Sequence, residues 1–198
     1  MIINHVKEIF IIAGPNGAGK TTFALGLIDE GIIKHYLNAD EIARELSPSD
    51  PQKANIKAAR IFLRRLKVLS LGNESFALET TLSGLRYLEH IKEWQSAGWM
   101  VSVFYLLLSS PEVSKQRVAE RIAHGGHSIP EKDIVRRFPK SIINFYRYYS
   151  KQVNYAECLY NENQEPLSIF EVKQGQVIIN QVEFYDYFME LIKHAESR

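Results

Sequence analysis

The sequence has a single cysteine, Cys158, so no disulfide can form within the chain. A disulfide-stabilised fold is therefore excluded, and the apolar neighbours of Cys158 in AECLYN favour a buried core residue over a reactive thiol. Because the chain has 198 residues and 45% of them are hydrophobic, it is long enough to bury a full core without disulfides.

Long apolar runs and an excess of one charge are also missing. No segment approaches the roughly 18 apolar residues of a membrane-spanning helix. A Gly-Pro-Asn turn interrupts the apolar start of the chain, which argues against a signal peptide. With 24 Lys and Arg against 23 Asp and Glu, no strongly basic face for nucleic acid is indicated. We expect a cytoplasmic protein that binds neither membranes nor nucleic acid.

Short apolar runs alternate with helical patterns along the chain. Runs such as EIFIIA, SFALETT and MVSVFYLLL indicate buried strands, with MVSVFYLLL in the centre of the sheet. The pattern predicts one α/β domain over residues 1–198, a P-loop NTPase-type parallel sheet covered by helices on both faces. A C-terminal β-hairpin that turns at Gly175 is predicted as an appendage, followed by a last helix.

Two predicted helices carry further expectations. QKANIKAARIFLRRLKVLSLG predicts a long helix with one face formed by Ile56, Ala59, Leu63, Leu66 and Leu69 or Ser70. IPEKDIVRRFPKSIINFYRYYS predicts a helix that Pro139 bends or breaks.

The strongest motif, GPNGAGKT, matches G-x-x-x-x-G-K-[ST] at every fixed position, after an apolar strand and at the start of a helix. Its glycines let backbone N–H groups approach phosphate oxygens, Lys20 can reach the β and γ phosphates, and the Thr21 hydroxyl can hold Mg²⁺. We predict ATP or GTP as co-substrate. The predicted nucleotide-binding residues are Gly14, Pro15, Asn16, Gly17, Ala18, Gly19, Lys20, Thr21 and Thr22.

A P-loop does not reveal where the phosphate goes. Many NTPases end a buried strand in acidic residues that polarise water, but MVSVFYLLL is followed by two serines. Carboxylates instead follow two other strands, Asp40 in LNAD and Glu79 in FALETT, where Thr80 is the next polar residue. Both are predicted to face an acceptor crevice beside the P-loop, one taking the hydroxyl proton and the other binding the acceptor or a magnesium water. The alternatives are an N-cap role for Asp40 and a surface strand end for Glu79.

A basic segment, roughly residues 117–137, is predicted to form a flap over the nucleotide. Guanidinium groups can stabilise the charge of a transferring phosphoryl group, and closure excludes water. We favour function for Arg121, and a solvated helix face paired with Glu120 for Arg117. Its histidines, His124 and His127, favour flap hydrogen bonds over a metal site.

The ordered motifs GPNGAGKTT, NADEIA, FALETTLSG, LSSPEVSKQRVAER and GGHSIPEKDIVRRFPKS resemble the zeta-toxin-like P-loop kinases. The similarity is greatest to their chromosomal GGH-containing branch, often labelled ABC-type ATPase, and covers roughly residues 8–161. It implies phosphorylation of the sugar of UDP-N-acetylglucosamine with ATP or GTP and Mg²⁺. The sequence itself carries no evidence for an inhibitory, antitoxin-like protein as a partner. The implied roles are Asp40 as base, Lys20 and Thr21 at the nucleotide and metal, Glu79 at the substrate and Arg121 on the γ-phosphate.

Two departures from the family pattern concern the acceptor or the transition state. Zeta toxins carry a second flap arginine where this sequence has His127, and Arg136 or Arg137 can compensate. They also carry an arginine shortly after the strand-end glutamate, where this sequence reads ETTLSG. Three alternatives to a small-molecule kinase stay open: an NTPase that powers a partner, a nucleotide-binding regulator without catalysis, and a nucleic-acid end kinase.

Overall fold

A computed structural model of the chain describes residues 6–124, 126, 128–162 and 165–197. These residues form a seven-stranded sheet with the order β2-β3-β1-β4-β5-β6-β7. The strands are β1 (Glu8–Ala13), β2 (His35–Leu37), β3 (Phe76–Thr80), β4 (Met100–Leu107), β5 (Tyr155–Tyr160), β6 (Leu167–Lys173) and β7 (Gln176–Ile179). The helices are α1 (Lys20–Asp29), α2 (Ala39–Leu46), α3 (Asn55–Ser70), α4 (Tyr87–Ser96), α5 (Pro111–Ala123), α6 (Glu131–Asn144), α7 (Ser150–Gln152) and α8 (Val182–Glu196).

The strands β2, β3, β1, β4 and β5 pair in parallel. β6 is antiparallel to β5, and β7 is antiparallel to β6. β4 occupies the middle position, as its apolar sequence predicts. The predicted hairpin is β6 and β7, joined at Gln174 and Gly175, which have φ values of 51° and 78°. Positive φ at both positions suits a hairpin turn. The hairpin is a continuation of the main sheet, because β6 pairs with β5, and not a separate appendage.

The strand that precedes the P-loop is buried on both faces. Ile9 and Ile11 of β1 belong to the larger core cluster, which also includes apolar residues of α2, α3, α4, α6 and α8. Phe10 and Ile12 point the other way and pack with Ala24 of α1. Helices therefore cover both faces of the sheet, and the predicted α/β fold is confirmed. Within the described residues, no helix combines the length and apolarity that crossing a membrane requires.

The predicted apolar face of one helix differs from the observed one, and the break that was one of the two outcomes predicted at Pro139 does not occur. The buried residues of α3 are Ala58, Phe62 and Leu66, spaced four apart, whereas Ile56 is 73% exposed and Leu63 is 44% exposed. The long run of similar apolar residues fits more than one stripe, and only packing against the sheet selects one.

Pro139 does not end or interrupt its helix. It lies inside α6, which runs from Glu131 to Asn144 and continues as a π-helical turn over Phe145–Tyr149. Proline in a helix interior costs a hydrogen bond, and here the packing of neighbouring residues, such as Phe138 and Ile142 in the core, compensates for it.

Candidate active site

The P-loop lies between β1 and α1, and its backbone is held by the ends of β4 and β5. Gly14 has a φ of 138°, and a Cβ atom there would lie 2.4 Å from the carbonyl oxygen of Leu106 in β4. Gly19 has a φ of 81°, and its Cβ would lie 2.6 Å from Asn161 Nδ2. The same Asn161 Nδ2 donates to the Ala18 carbonyl at 2.7 Å. The loop therefore requires glycine at position 14 for both conformation and space, and at position 19 for its left-handed conformation.

Lys20, the first residue of α1, is buried behind this loop and only 6% exposed. Its Nζ donates to the Pro15 carbonyl at 2.9 Å and lies 3.7 Å from Glu79 Oε1. Burial lowers the pKa of Lys20, and the charges of Glu79 and Asp40 oppose that shift. A buried ammonium group at the N-terminus of a helix suits the binding of a polyanion.

The donor set around Thr21 fits a nucleotide with Mg²⁺. Thr21 Oγ1 donates to Glu79 Oε2 at 2.9 Å, so a hydroxyl and a carboxylate, both oxygen ligands of the kind Mg²⁺ prefers, lie side by side. Nearby, Asn16 is buried, and its Oδ1 has no hydrogen-bond partner among the described residues. An unpaired buried acceptor in a phosphate loop indicates hydrogen-bonding capacity for a ligand or its water.

Glu79 is held by two further residues that the sequence did not single out. Its Oε2 accepts from Tyr36 Oη at 2.5 Å and from Asn38 Nδ2 at 3.0 Å, in addition to Thr21. Burial, followed by the charge of Glu79, raises the pKa of Tyr36, so its hydroxyl remains a donor. The sequence signal that could have identified these residues is their spacing. Tyr36 lies in β2 and Asn38 follows that strand directly in extended conformation, and residues two apart in an extended segment share a face. β2 pairs with β3, which carries Glu79.

If Glu79 binds Mg²⁺, replacing Tyr36 with phenylalanine is expected to raise the Mg²⁺ concentration needed for nucleotide binding by about tenfold, because a hydroxyl that orients the Glu79 carboxylate is lost. Nucleotide affinity titrated at increasing Mg²⁺ concentration measures the effect. Tyr148→Phe, at a tyrosine that is 46% exposed, is the matched control. An unchanged Mg²⁺ requirement in Tyr36→Phe would show that Tyr36 does not position Glu79.

Asp40 is not a helix cap. α2 begins at Ala39 and its N-cap is Asn38, whose Oδ1 accepts from the Asp40 backbone N–H at 2.8 Å. The cap alternative is therefore wrong, and the Asp40 carboxylate is left for another role. It is exposed on the wall of a cavity of about 350 Å³, formed with the start of α3 and residues 128–137.

The cavity contains one of the two predicted carboxylates. Glu79 and Thr80 are not on its wall. Glu79 faces Lys20 and Thr21, and Thr80 Oγ1 accepts from the Leu82 N–H at 3.1 Å in a local turn. Because ligands bind outside the carboxyl ends of parallel strands, the sequence predicted that Asp40, Glu79 and Thr80 all lie near the P-loop. That rule does not distinguish the nucleotide side of the site from the acceptor side.

The residues predicted to form the flap lie on different elements and have different neighbours. Arg121 lies in the last turn of α5 and is exposed, and its charge helps to lower the pKa of Lys20, so it lies near the P-loop. The Gly126 N–H donates to the Arg121 carbonyl at 2.8 Å and closes the end of α5. Arg136 donates to Asp133 at 2.9 Å on the same helix. His127 lies outside the described residues.

Arg117 differs from the solvated residue expected from the sequence. Its Nη1 donates to the Asn161 carbonyl at 2.7 Å, while Glu120 instead accepts from Gln116. Because Asn161 also holds Ala18, Arg117 connects α5 to the P-loop.

Comparison with known proteins concerns the family and the fold of the chain. No protein-family model matches the sequence. A protein of Haemophilus influenzae, described as uncharacterised, is 31% identical over 130 residues, which cover 66% of this chain and 90% of that protein. The chain belongs to the family of this Haemophilus protein.

Solved structures establish the fold of this family member. The AvrRxo1-ORF1:AvrRxo1-ORF2 complex with sulphate ions matches with a TM-score of 0.78 at 15% identity, over 93% of this chain and 64% of that chain. This chain thus spans less than two thirds of that protein, which has also been solved with ATP. The PezAT toxin–antitoxin system of Streptococcus pneumoniae matches with a TM-score of 0.63 at 11% identity, over 98% of this chain and 89% of that chain. The chain has the zeta-toxin-like P-loop kinase fold, and the resemblance seen in the sequence is confirmed at this level.

Proposed function

We propose that this protein is a kinase that transfers the γ-phosphate of ATP or GTP to a hydroxyl group of a small molecule. The observation that carries the proposal is the position of Asp40. Its carboxylate lines a cavity of about 350 Å³ and is close enough to Lys20 to affect the pKa of that buried ammonium group. A carboxylate between an acceptor-sized space and the phosphate loop suits phosphoryl transfer to a second substrate.

Each described residue of the site has a distinct role in this proposal. The P-loop backbone and Lys20 bind the phosphates, and Thr21 with Glu79 would hold Mg²⁺, which supplies positive charge against the phosphate oxygens. Asp40 orients the acceptor hydroxyl and takes its proton as the new O–P bond forms and the bond to the nucleoside diphosphate breaks. Arg121 neutralises charge on the transferring group.

The acceptor and the partner are the finer parts of the proposal. A UDP-N-acetyl sugar is the acceptor that the family resemblance implies. An inhibitory protein is supported by the neighbours, because PezAT is a toxin–antitoxin system and AvrRxo1-ORF1 was solved with AvrRxo1-ORF2. We propose a protein inhibitor for this chain by that analogy, which rests on fold likeness.

Incubation of the full chain with labelled ATP, Mg²⁺ and a panel of sugars, nucleotide sugars and nucleosides tests the function. We expect label in one class of acceptor, identified by mass, and little release of inorganic phosphate when no acceptor is present. Fast phosphate release that no acceptor changes would instead identify an NTPase. ATP binding without either product would identify a nucleotide-binding regulator.

A further inference from the structure

Helix α3 carries an uneven share of the charge of the chain. Its 16 residues include five Lys or Arg and no Asp or Glu, although the whole chain has nearly equal numbers of the two signs. The five basic residues, all exposed, are Lys57, Arg60, Arg64, Arg65 and Lys67. All but Arg65 are three or four positions apart, so these four form one basic stripe along the outer face of α3, opposite its buried side.

Neighbouring carboxylates do not balance this positive charge. On other helices, cations pair with acidic residues of the same helix, as Arg44 does with Glu41 in α2 and Lys115 with Glu112 in α5. In the part of the chain that the structure describes, none of the five basic side chains of α3 forms an ion pair or a hydrogen bond. The basic stripe therefore offers unpaired positive charge to an anionic partner.

An apolar groove lies beside the basic stripe, between α3 and α4. Its volume is about 580 Å³. Leu66 and Trp94 line it as buried residues, whereas Leu63 and Leu71 line it with 44% and 79% of their surface exposed. Lys67 lines the same groove, so the stripe and the groove form one continuous surface. Exposed leucines beside buried apolar residues are typical of a surface that a partner covers.

The shape and chemistry of this surface favour a protein helix as its occupant. A groove between two helices accepts the side-chain ridge of a third helix. A membrane surface is too flat to fill a groove, and phosphate groups of a nucleic acid gain nothing from leucines. The aromatic residue of α3, Phe62, is buried, so α3 offers no exposed ring on which a base could stack.

We propose that the basic stripe and the α3–α4 groove together bind an acidic amphipathic helix of a partner protein. The apolar side chains of that helix enter the groove at Leu63 and Leu71. Its Asp and Glu side chains pair with Arg60, Arg64 and Lys67 of the stripe. The groove supplies the apolar contact area, and the stripe selects partners by the sign of their charge.

This docking surface is separate from the candidate active site. Asn55, the first residue of α3, lines the Asp40 cavity, whereas Leu71 follows the last residue of the helix. At a rise of 1.5 Å per residue, the two positions lie about 24 Å apart along the helix axis. The inference therefore does not depend on the proposed kinase function, and its test requires no turnover.

Two synthetic peptides of about 18 residues test the inference. Both have leucine at every third or fourth position, so that each forms an amphipathic helix, and their flanking positions are glutamate in one and lysine in the other. Binding of each labelled peptide to the full chain is measured by fluorescence anisotropy. We expect the acidic peptide to bind about tenfold more tightly than the basic one or better, and its affinity to fall as salt screens the exposed charges.

Variants of exposed residues locate the binding surface. Arg60→Glu/Arg64→Glu is expected to weaken binding of the acidic peptide by about tenfold or more, because two attractive charges become repulsive. Leu63→Ser is expected to weaken it several-fold, because an apolar contact of the groove is lost. Lys151→Glu/Lys193→Glu makes the same change in net charge on α7 and α8 and should bind like the parent. Thermal unfolding of each variant checks that it is folded.

Several results would overturn the inference. One is equal affinity for the two peptides, and another is unchanged affinity in Arg60→Glu/Arg64→Glu. Unchanged affinity in Leu63→Ser would show that charge alone attracts the peptide and that the groove takes no part. Duplex RNA or phosphatidylserine vesicles that bind through the same arginines more tightly than the acidic peptide would identify a nucleic-acid or membrane surface instead.

Discussion

Replacing Asp40 with asparagine is expected to lower kcat for phosphoryl transfer by about 10²–10⁴-fold, the usual contribution of a general base. ATP affinity is expected to change by less than about threefold, because the P-loop contacts of Lys20 and Thr21 do not involve this side chain. Asparagine keeps the size and the hydrogen-bonding oxygen of aspartate but cannot take a proton. Single-turnover transfer and nucleotide titration measure the two quantities separately.

The control for this change is Asp29→Asn, an exposed carboxylate at the far end of α1. It alters net charge by the same amount without altering the cavity. Near-normal transfer in Asp40→Asn would exclude Asp40 as the base and leave the neighbouring cavity without a catalytic role. Loss of ATP binding together with transfer would indicate that Asp40 shapes the nucleotide site.

Replacing Lys20 with methionine is expected to reduce transfer by about 10²–10³-fold, because a preorganised charge at the phosphates is lost from a buried site. The fold is expected to survive. Burial lowers the pKa of Lys20, so an apolar side chain of similar volume removes a desolvation cost, but it also leaves the largely buried Glu79 carboxylate without the ion pair that joins the two groups at 3.7 Å, which is destabilising. Glu79 keeps its donors from Thr21 and Asn38.

Transfer rates and thermal unfolding of Lys20→Met test both parts. The melting temperature is expected to fall by several degrees, because Glu79 loses its partner in a buried ion pair, but the protein should still unfold cooperatively. Lys92→Met, on the exposed side of α4, is the control for loss of a lysine. A large drop in melting temperature would mean that Lys20 is needed for folding, and full activity would mean that the loop does not bind phosphate through it.

Much of the fold could be predicted because it depends on local patterns. The strand that leads into the P-loop, the loop itself and the helix after it each have a sequence signal tied to backbone geometry, such as the glycine required at Gly14. Even the central position of β4 follows from its apolar composition, since a strand buried on both faces needs no polar side.

The buried face of a helix and the effect of a proline within it were predicted less accurately than the strands and the P-loop. α3 contains enough apolar residues for more than one stripe, and the sheet beneath it selects Ala58, Phe62 and Leu66. In α6 the local rule for proline predicts a break, but residues such as Phe138 and Ile142 are anchored in the core and hold the helix through Pro139. Tertiary packing outweighs local preference in both cases.

The sequence by itself determined the chemistry that is available: a P-loop with Lys20 and Thr21, and carboxylates at the ends of two strands. Only the tertiary structure decided how these groups are shared between the two sides of the site. Glu79 turns to the nucleotide side because Tyr36 and Asn38 of a neighbouring segment donate to it. Asp40 is left facing the cavity because Asn38 caps its helix. Such contacts join residues about 40 positions apart, and no local pattern in the chain encodes them.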